Sequence, residues 1–140
     1  MDDVTLENNI YYVPFSTNNP LFDSFTIHFD TKEKIAIVSV FQITISLLHG
    51  GSSQGYPLIC KIMKRANDLL NSGIEKKDRV KCDIEVRYFL VCPEGQGENQ
   101  WQMPAKWNLG TRNYNHCRDA YCIRIPVVGT WHLFAPNFLT

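Results

Sequence analysis

The chain has 140 residues, and its fourteen basic and fourteen acidic side chains give a formal net charge of zero at pH 7. This length fits one domain with a sizeable core, and no apolar run approaches the roughly twenty residues that a membrane span requires. A neutral chain lacks the overall charge that supports strong nonspecific DNA binding, so any nucleic-acid contact is expected from a local basic patch. We therefore expect a single domain, belonging to a longer protein, with no membrane partner.

Two strands joined by a short turn are predicted near residues 24–29 and 36–46. Both segments alternate with period two, and the polar turn T-K-E-K between them is typical of a hairpin. The second segment is apolar enough to be a central strand that is buried on both sides. One of its faces nevertheless carries Gln42 and Thr44, and buried polar groups require hydrogen-bond partners or a ligand. This face is the first candidate for a functional site.

A helix is predicted near residues 57–72, because the apolar side chains recur at helical spacing and a glycine fits just past the end. We expect this helix to pack on one face of the sheet through Leu58, Ile62 and Leu69. Its other face carries a basic cluster, and a second basic cluster follows at Lys76–Lys81. These clusters are either solvated surfaces or a patch for nucleic acid.

Further strands are predicted near residues 82–91 and 121–127, with a long polar segment at 93–115 between them. Trp101 and Trp107 in that segment either pin it to the body of the domain or stack on bases. The aromatic tail either packs back on the sheet or forms a docking surface for the rest of a longer protein. The expected fold is a three-layer α/β domain, with a central mixed sheet flanked by helices.

The five cysteines are odd in number and include no C-x-x-C pair. Buried free thiols in a reducing compartment explain them best. The weaker alternative is a zinc site formed by Cys92, His116, Cys117 and Cys122. A cysteine nucleophile beside His116 has no stronger support, because proximity in sequence is not catalytic geometry.

Four short motifs in the first half of the chain resemble a known family. They are Y-Y-V-P-F at 11–15, F-D-S-F at 22–25, F-Q-I-T at 41–44, and the pair His49-Gly50. In order and spacing they are similar to the C-terminal domain shared by Crinkler effectors and retrotransposon hot spot proteins. The resemblance implies a core like that of the restriction-endonuclease-like PD-(D/E)XK superfamily, of αβββαβ type. It also implies an effector that acts inside a host cell, in its nucleus.

The resemblance further implies a site and its chemistry. Nucleases of this type hold Mg²⁺ on paired carboxylates, and a lysine stabilises charge near the attacked phosphate. Asp23 matches the first carboxylate, whereas Gln42 stands at the second carboxylate position and Thr44 at the lysine position. The implied metal ligands are therefore Asp23 and Gln42, the latter through an uncharged amide oxygen. Thr44 offers no cation, so the site either takes one from elsewhere or binds without cutting.

Two residues are candidates for the missing cation. His49 follows the motif strand and is able to donate to a phosphate or act as a base near neutral pH, unless it bonds only the local backbone. Lys61 lies in the first turns of the predicted helix, where it either reaches the site or remains solvated. The implied catalytic set is Asp23, Gln42, Thr44, His49 and Lys61.

Three interpretations follow from the sequence. The first is a Mg²⁺-dependent nuclease that acts on DNA more readily than on RNA, and the second is the same fold, catalytically inactive, binding DNA or a host protein. The third is a small α/β interaction domain whose polar strand face bonds only its neighbours. The missing acid and lysine favour the second over the first. Any cleavage is expected to require a divalent metal, to fall on removal of Asp23, and to be weak, because losing one preorganised donor typically lowers a rate roughly a hundred- to a thousandfold. The sequence does not set the oligomeric state.

Overall fold

The computed structural model describes residues 5–14, 19, 21–45, 48–50, 52–94, 100–102 and 119–125. Its strands are β1 (Tyr11–Tyr12), β2 (Ser24–Asp30), β3 (Ile35–Ile43), β4 (Leu48–Gly50), β5 (Asp83–Pro93), β6 (Gln100–Gln102) and β7 (Asp119–Ile125). The helix α1 spans Tyr56–Leu70, and short 3-10 turns lie at Ser53–Gly55 and Lys76–Asp78. The predicted roles of Trp107 and of the aromatic tail lie outside the described residues, as do His116 and Cys117 of the zinc alternative, whereas its Cys92 and Cys122 are described.

A mixed sheet of five strands forms the centre of the fold, in the order β1-β2-β3-β5-β7. β1 pairs with β2, and β2 with β3, in antiparallel orientation, whereas β5 runs parallel to β3 and β7 runs parallel to β5. A second, two-stranded sheet pairs β4 with β6. The predicted strand β3 is confirmed as a central strand, because it lies between β2 and β5. It ends at Ile43, so Thr44 and Ile45, which the prediction placed in this strand, are not part of it.

The predicted hairpin between β2 and β3 is closed by local hydrogen bonds. Oδ1 of Asp30 accepts from the backbone N–H groups of Lys32 and Glu33, at 2.9 and 3.0 Å. Lys34 then adopts a φ of 59°, in the left-handed region. Its ammonium group crosses to the helix and donates to the Leu70 carbonyl at the end of α1, where a cation also complements the helix dipole.

The helix α1 connects β3 to β5, as a crossover between parallel strands requires, and packs on one sheet face. Its buried side chains are Ile59, Ile62, Met63, Ala66 and Leu70. Ile62 is buried as predicted, and Leu58 and Leu69 are partly buried and pack against the same core. The two leucines lie at the edges of the buried stripe because seven apolar positions make the stripe wide, so its centre is set by the sheet beneath the helix.

The described helix covers only one face of the sheet, so the described residues form two layers. The α/β class is confirmed, while the second helical layer of the predicted fold is not among these residues. Within the same part of the chain, no helix is both long and apolar enough to cross a membrane.

Candidate functional site

Asp23 and Gln42 meet where β2 begins and β3 ends. The backbone N–H of Asp23 donates to the Phe41 carbonyl over 2.7 Å. Its carboxylate oxygen Oδ2 accepts hydrogen bonds from Gln42 Nε2 at 2.9 Å and from the Ile43 backbone N–H at 2.7 Å. Because Gln42 is only 7 % exposed, Asp23 satisfies a polar group that is costly to bury alone. The structure thus brings the first two candidate residues together.

The other three candidates are Thr44, directly after β3, His49 in β4 and Lys61 on α1. Thr44 follows β3, is 8 % exposed, and donates its backbone N–H to the Val91 carbonyl over 2.9 Å. His49 lies in β4, and its side chain is outside the described part of the structure. Lys61 is exposed on α1. The prediction that His49 or Lys61 supplies a cation to Asp23 therefore stays a prediction.

A buried tyrosine and a tightly packed glycine hold the segment that carries Asp23. The hydroxyl of Tyr88, a fully buried residue of β5, donates to the Leu21 carbonyl over 2.9 Å. Gly55, at the start of α1, packs so closely that an added Cβ would lie 2.2 Å from the Leu21 Cβ. The sequence signal for the first contact is a tyrosine among buried aliphatic neighbours, since a buried hydroxyl needs a partner. No sequence pattern marks the close packing of Gly55 against Leu21.

The titration of Tyr88 gives a testable consequence of its burial. Burial raises the pKa of its hydroxyl far above the ordinary value, and the charge of Asp23 raises this pKa further. The folded state therefore keeps a proton that the unfolded state loses above about pH 10. The contribution of Tyr88 titration to the free energy of unfolding is therefore complete below about pH 10. It is lost as the pH rises toward the pKa that Tyr88 has in the folded state.

We expect Tyr88→Phe to be less stable than the wild type at pH 8 by about 1–3 kcal/mol, because the buried Leu21 carbonyl loses its donor. The difference should shrink by about 1.4 kcal/mol at pH 11, since only the wild type has Tyr88 to titrate. Urea denaturation at pH 8, 10 and 11 measures both values. A difference that stays constant over this range would contradict the raised pKa.

The Asp23–Gln42 pair does not fit a preformed Mg²⁺ site. Among the described residues, no three His, Cys, Asp or Glu side chains lie close enough to share a metal. Oδ2 of Asp23 already accepts two N–H groups, and Gln42 turns its amide N–H toward the carboxylate. Mg²⁺ requires near-octahedral oxygen ligands, and this pair contributes one negative charge. Metal binding by Asp23 and Gln42 remains a prediction from the resemblance.

Basic side chains gather on α1 and on the connection that follows it. The segment 57–82 contains seven Lys or Arg and three Asp or Glu, a net charge of +4 in a chain whose total is zero. We define the basic surface by five residues of this segment, which are all exposed: Lys61, Lys64, Lys76, Lys77 and Arg79. The rest of the chain carries a net charge of −4, so the charge of the domain is unevenly divided.

The connection is fastened to the end of α1 by the buried side chain of Asn71. Its Nδ2 donates to the carbonyls of Asn67 and Val80 at 3.1 and 3.2 Å, and its Oδ1 accepts from the Val80 backbone N–H at 3.2 Å. Along the helix axis, Lys61 lies about 14 Å from Leu70. The connection that carries Lys76, Lys77 and Arg79 is therefore anchored to the C-terminal end of the helix that carries Lys61 and Lys64.

The sheet face opposite α1, which we call the open face, carries a row of aromatic rings. Phe41, Phe89 and Tyr121 occupy directly paired positions on β3, β5 and β7. The ring centroids are 5.3 and 5.1 Å apart, with interplanar angles of 20° and 19°. Rings stacked this closely turn their faces to one another. Both faces of the Phe89 ring, which lies between Phe41 and Tyr121, are therefore covered, and a base cannot stack on it. The basic surface is therefore the better candidate for nucleic acid.

No protein-family model matches this chain, and it has no match among the curated proteins or the solved structures. The resemblance to Crinkler and retrotransposon hot spot domains thus rests on the sequence motifs alone. The structure itself establishes the coarser class, an α/β fold with a five-stranded mixed sheet and one described helix.

Proposed function

We propose that this domain binds nucleic acid through its basic surface, with a nuclease-like site that does not cut efficiently. The observation that supports the proposal is the uneven charge, +4 on segment 57–82 and −4 elsewhere. Lysine and arginine side chains bind nucleic acid by neutralising phosphates and releasing condensed counterions. The acidic remainder of the domain would orient this side toward a polyanion. DNA is the expected partner in preference to RNA, in line with the resemblance.

A restriction-endonuclease-like core belongs to the same proposal. It is supported by the β2–β3 hairpin, the α1 crossover and the parallel strand β5, in the order expected for that core. The role proposed for Asp23 differs from that of a nuclease acid. It accepts hydrogen bonds from Gln42 and Ile43, so we assign it to holding the end of β3. An effector role in a host nucleus is the biological setting that the resemblance suggests for such a domain.

Removal of lysines from the basic surface tests the proposed binding. We expect the triple variant Lys61→Ala/Lys64→Ala/Lys76→Ala to bind a short fluorescein-labelled DNA duplex more than about tenfold more weakly than wild type at about 50 mM salt. Lys77 is left in place because it pairs with Glu75 at 2.9 Å. Fluorescence anisotropy gives the dissociation constants.

The matched control is Lys32→Ala, since Lys32 is an exposed lysine in the β2–β3 turn, outside the basic surface. It should keep wild-type affinity. Because Lys32→Ala removes one positive charge and the triple variant removes three, a control that loses about a third as much log affinity as the triple variant would indicate that net charge alone sets binding. An unchanged triple variant would overturn the assigned surface. If neither DNA nor RNA binds at low salt, the partner-binding alternative is favoured. The structural support for that alternative is the aromatic row of Phe41, Phe89 and Tyr121.

Metal-dependent cleavage is the second candidate, because Asp23 and Gln42 are adjacent at the end of the sheet. The test is incubation of labelled DNA and RNA with the protein and Mg²⁺ or Mn²⁺, for the wild type and Asp23→Asn. We expect weak cleavage at most. Robust cleavage that disappears in Asp23→Asn would establish a nuclease and overturn the non-cutting proposal. Robust cleavage that survives this change would place the chemistry elsewhere.

A further inference from the structure

Two thiols are in contact between β5 and β7, at the end of the sheet where β3 ends. Cys92 of β5 and Cys122 of β7 have their Sγ atoms 3.5 Å apart. Cys92 is 2 % exposed, whereas Cys122 is exposed to solvent. The Cys92 thiol also approaches the Ile123 carbonyl, at 3.8 Å. A buried thiol is thus in contact with a thiol that is exposed to solvent.

We propose that Cys92 and Cys122 form a reversible disulfide, which makes this pair a redox modification site independent of nucleic-acid binding. A disulfide holds its sulfur atoms about 2.05 Å apart, so the two Sγ atoms must approach by about 1.5 Å. β7 is the last strand in the order of the described sheet, and an edge strand has a neighbour on one side only. Within the described sheet, the required shift is therefore confined to one strand pair.

The register predicts that this disulfide is easily reduced. Cys122 pairs with Leu90 and Cys92 pairs with Arg124, so the two cysteines are diagonal neighbours on adjacent strands. Diagonal neighbours typically have Cα atoms about 7–8 Å apart, at or beyond the upper end of the range that a disulfide spans without strain. Strained disulfides have more oxidising potentials and are the labile ones. A reversible modification is therefore expected rather than a permanent crosslink.

The oxidant that fits this site is a low-molecular-weight disulfide such as glutathione disulfide. The Cys122 thiolate attacks one of its sulfur atoms, which forms a mixed disulfide and releases one glutathione thiol. The Cys92 thiolate then attacks Cys122 Sγ, forms the internal disulfide and releases the second glutathione thiol. The two protein thiols together lose two protons and two electrons, which the two glutathione molecules gain.

The order of these steps follows from exposure. Cys122 is the accessible sulfur, whereas burial raises the pKa of the Cys92 thiol, an effect to which the hydrogen bond with Cys122 adds. A buried thiol with a raised pKa is the poorer first nucleophile. Cys92 therefore reacts second, when the mixed disulfide has already placed an electrophilic sulfur beside it.

A metal ion would need further ligands at this pair, and His116 and Cys117 of the zinc alternative lie outside the described residues. Structural zinc sites have four protein ligands, and within the described residues no third His, Cys, Asp or Glu lies close enough to complete a group of three. Arg124, which pairs with Cys92 in the strand register, adds a positive charge that disfavours a cation. Oxidation requires only the two sulfurs that are already in contact.

The proposal is tested on the full chain equilibrated with mixtures of reduced and oxidised glutathione. After quenching with N-ethylmaleimide in denaturant, which exposes the buried thiols, the protein should lose two of its five N-ethylmaleimide adducts. The protein itself should be lighter by about 2 Da and retain no glutathione. Non-reduced peptide mapping should yield one linked pair that contains Cys92 and Cys122. Dithiothreitol should restore all five adducts.

Three variants distinguish this pair from the other cysteines. Cys122→Ser and Cys92→Ala should each abolish the loss of mass, whereas the control Cys60→Ser, on α1, should keep it. Circular dichroism verifies that each variant is folded. A loss of mass that persists in Cys92→Ala, a linked peptide that contains Cys117, or five reactive thiols at every glutathione ratio would each overturn the proposal.

Discussion

Replacing Gly55 with alanine is expected to lower the free energy of unfolding by about 3 kcal/mol, the upper end of the usual range for overpacking a core. The added Cβ would lie 2.2 Å from the Leu21 Cβ, far inside van der Waals contact. Leu21 cannot swing away, because the atom in conflict is its own Cβ and its backbone carbonyl is held by Tyr88. Either α1 or the segment before β2 must therefore shift.

Gly73 provides the matched control for this change. It has a φ of +77°, and a Cβ added there meets no atom within 4 Å. Gly73→Ala should lose about 1–2 kcal/mol through its left-handed backbone alone, and Gly73→Asn should lose less, because asparagine tolerates this conformation. Urea denaturation ranks the three variants. A Gly55→Ala variant as stable as the wild type would show that α1 does not begin against Leu21.

Replacing Asp23 with alanine is expected to lower the free energy of unfolding by about 1–3 kcal/mol. Two donors lose their acceptor together, the nearly buried amide of Gln42 and the Ile43 backbone N–H. Asp23→Asn should retain most of the stability, because its amide oxygen occupies the same position and still accepts. The exposed carboxylate Asp68 on α1 is the control, and Asp68→Ala should change stability by less than about 0.5 kcal/mol.

These variants also separate a structural role from a metal-ligand role for Asp23. A structural acceptor predicts a stability loss in Asp23→Ala and nearly unchanged DNA affinity in Asp23→Asn. A metal ligand predicts unchanged stability in Asp23→Ala and lowered DNA affinity in Asp23→Asn. The affinity falls because an amide in place of the carboxylate removes the charge that holds Mg²⁺. Unchanged stability of Asp23→Ala, combined with loss of metal-dependent cleavage in both variants, would contradict the structural role.

The elements with strong periodicity were predictable from the sequence. The alternation in β3 defines two faces, and the structure confirms its central position between β2 and β5. The helical spacing over α1 predicts that the helix exists and has a broad apolar stripe. It does not predict the rotation of the helix, which depends on the shape of the sheet beneath it. The short strands β4 and β6 have three residues each, too few for an alternating pattern to distinguish them from loops.

The candidate site was predictable only where a motif fixes the spacing. The contact between Asp23 and Gln42 follows from a short hairpin, because pairing of β2 with β3 brings the two positions together. The contacts of Tyr88 with Leu21 and of Cys92 with Cys122 join residues that are 67 and 30 positions apart. Such contacts depend on how α1, β5 and β7 assemble, so no local pattern carries them.

The salt dependence of DNA binding tests the proposed function most directly. If Lys61, Lys64 and Lys76 each neutralise a phosphate, the slope of log affinity against log salt should be at least about 2.7 in magnitude for wild type, at about 0.9 per contact on duplex DNA. The triple alanine variant should lose about 2.7 of this slope, and Lys32→Ala should lose none. A slope that is the same in the triple variant as in wild type, or an affinity that does not depend on salt, would contradict binding through the basic surface.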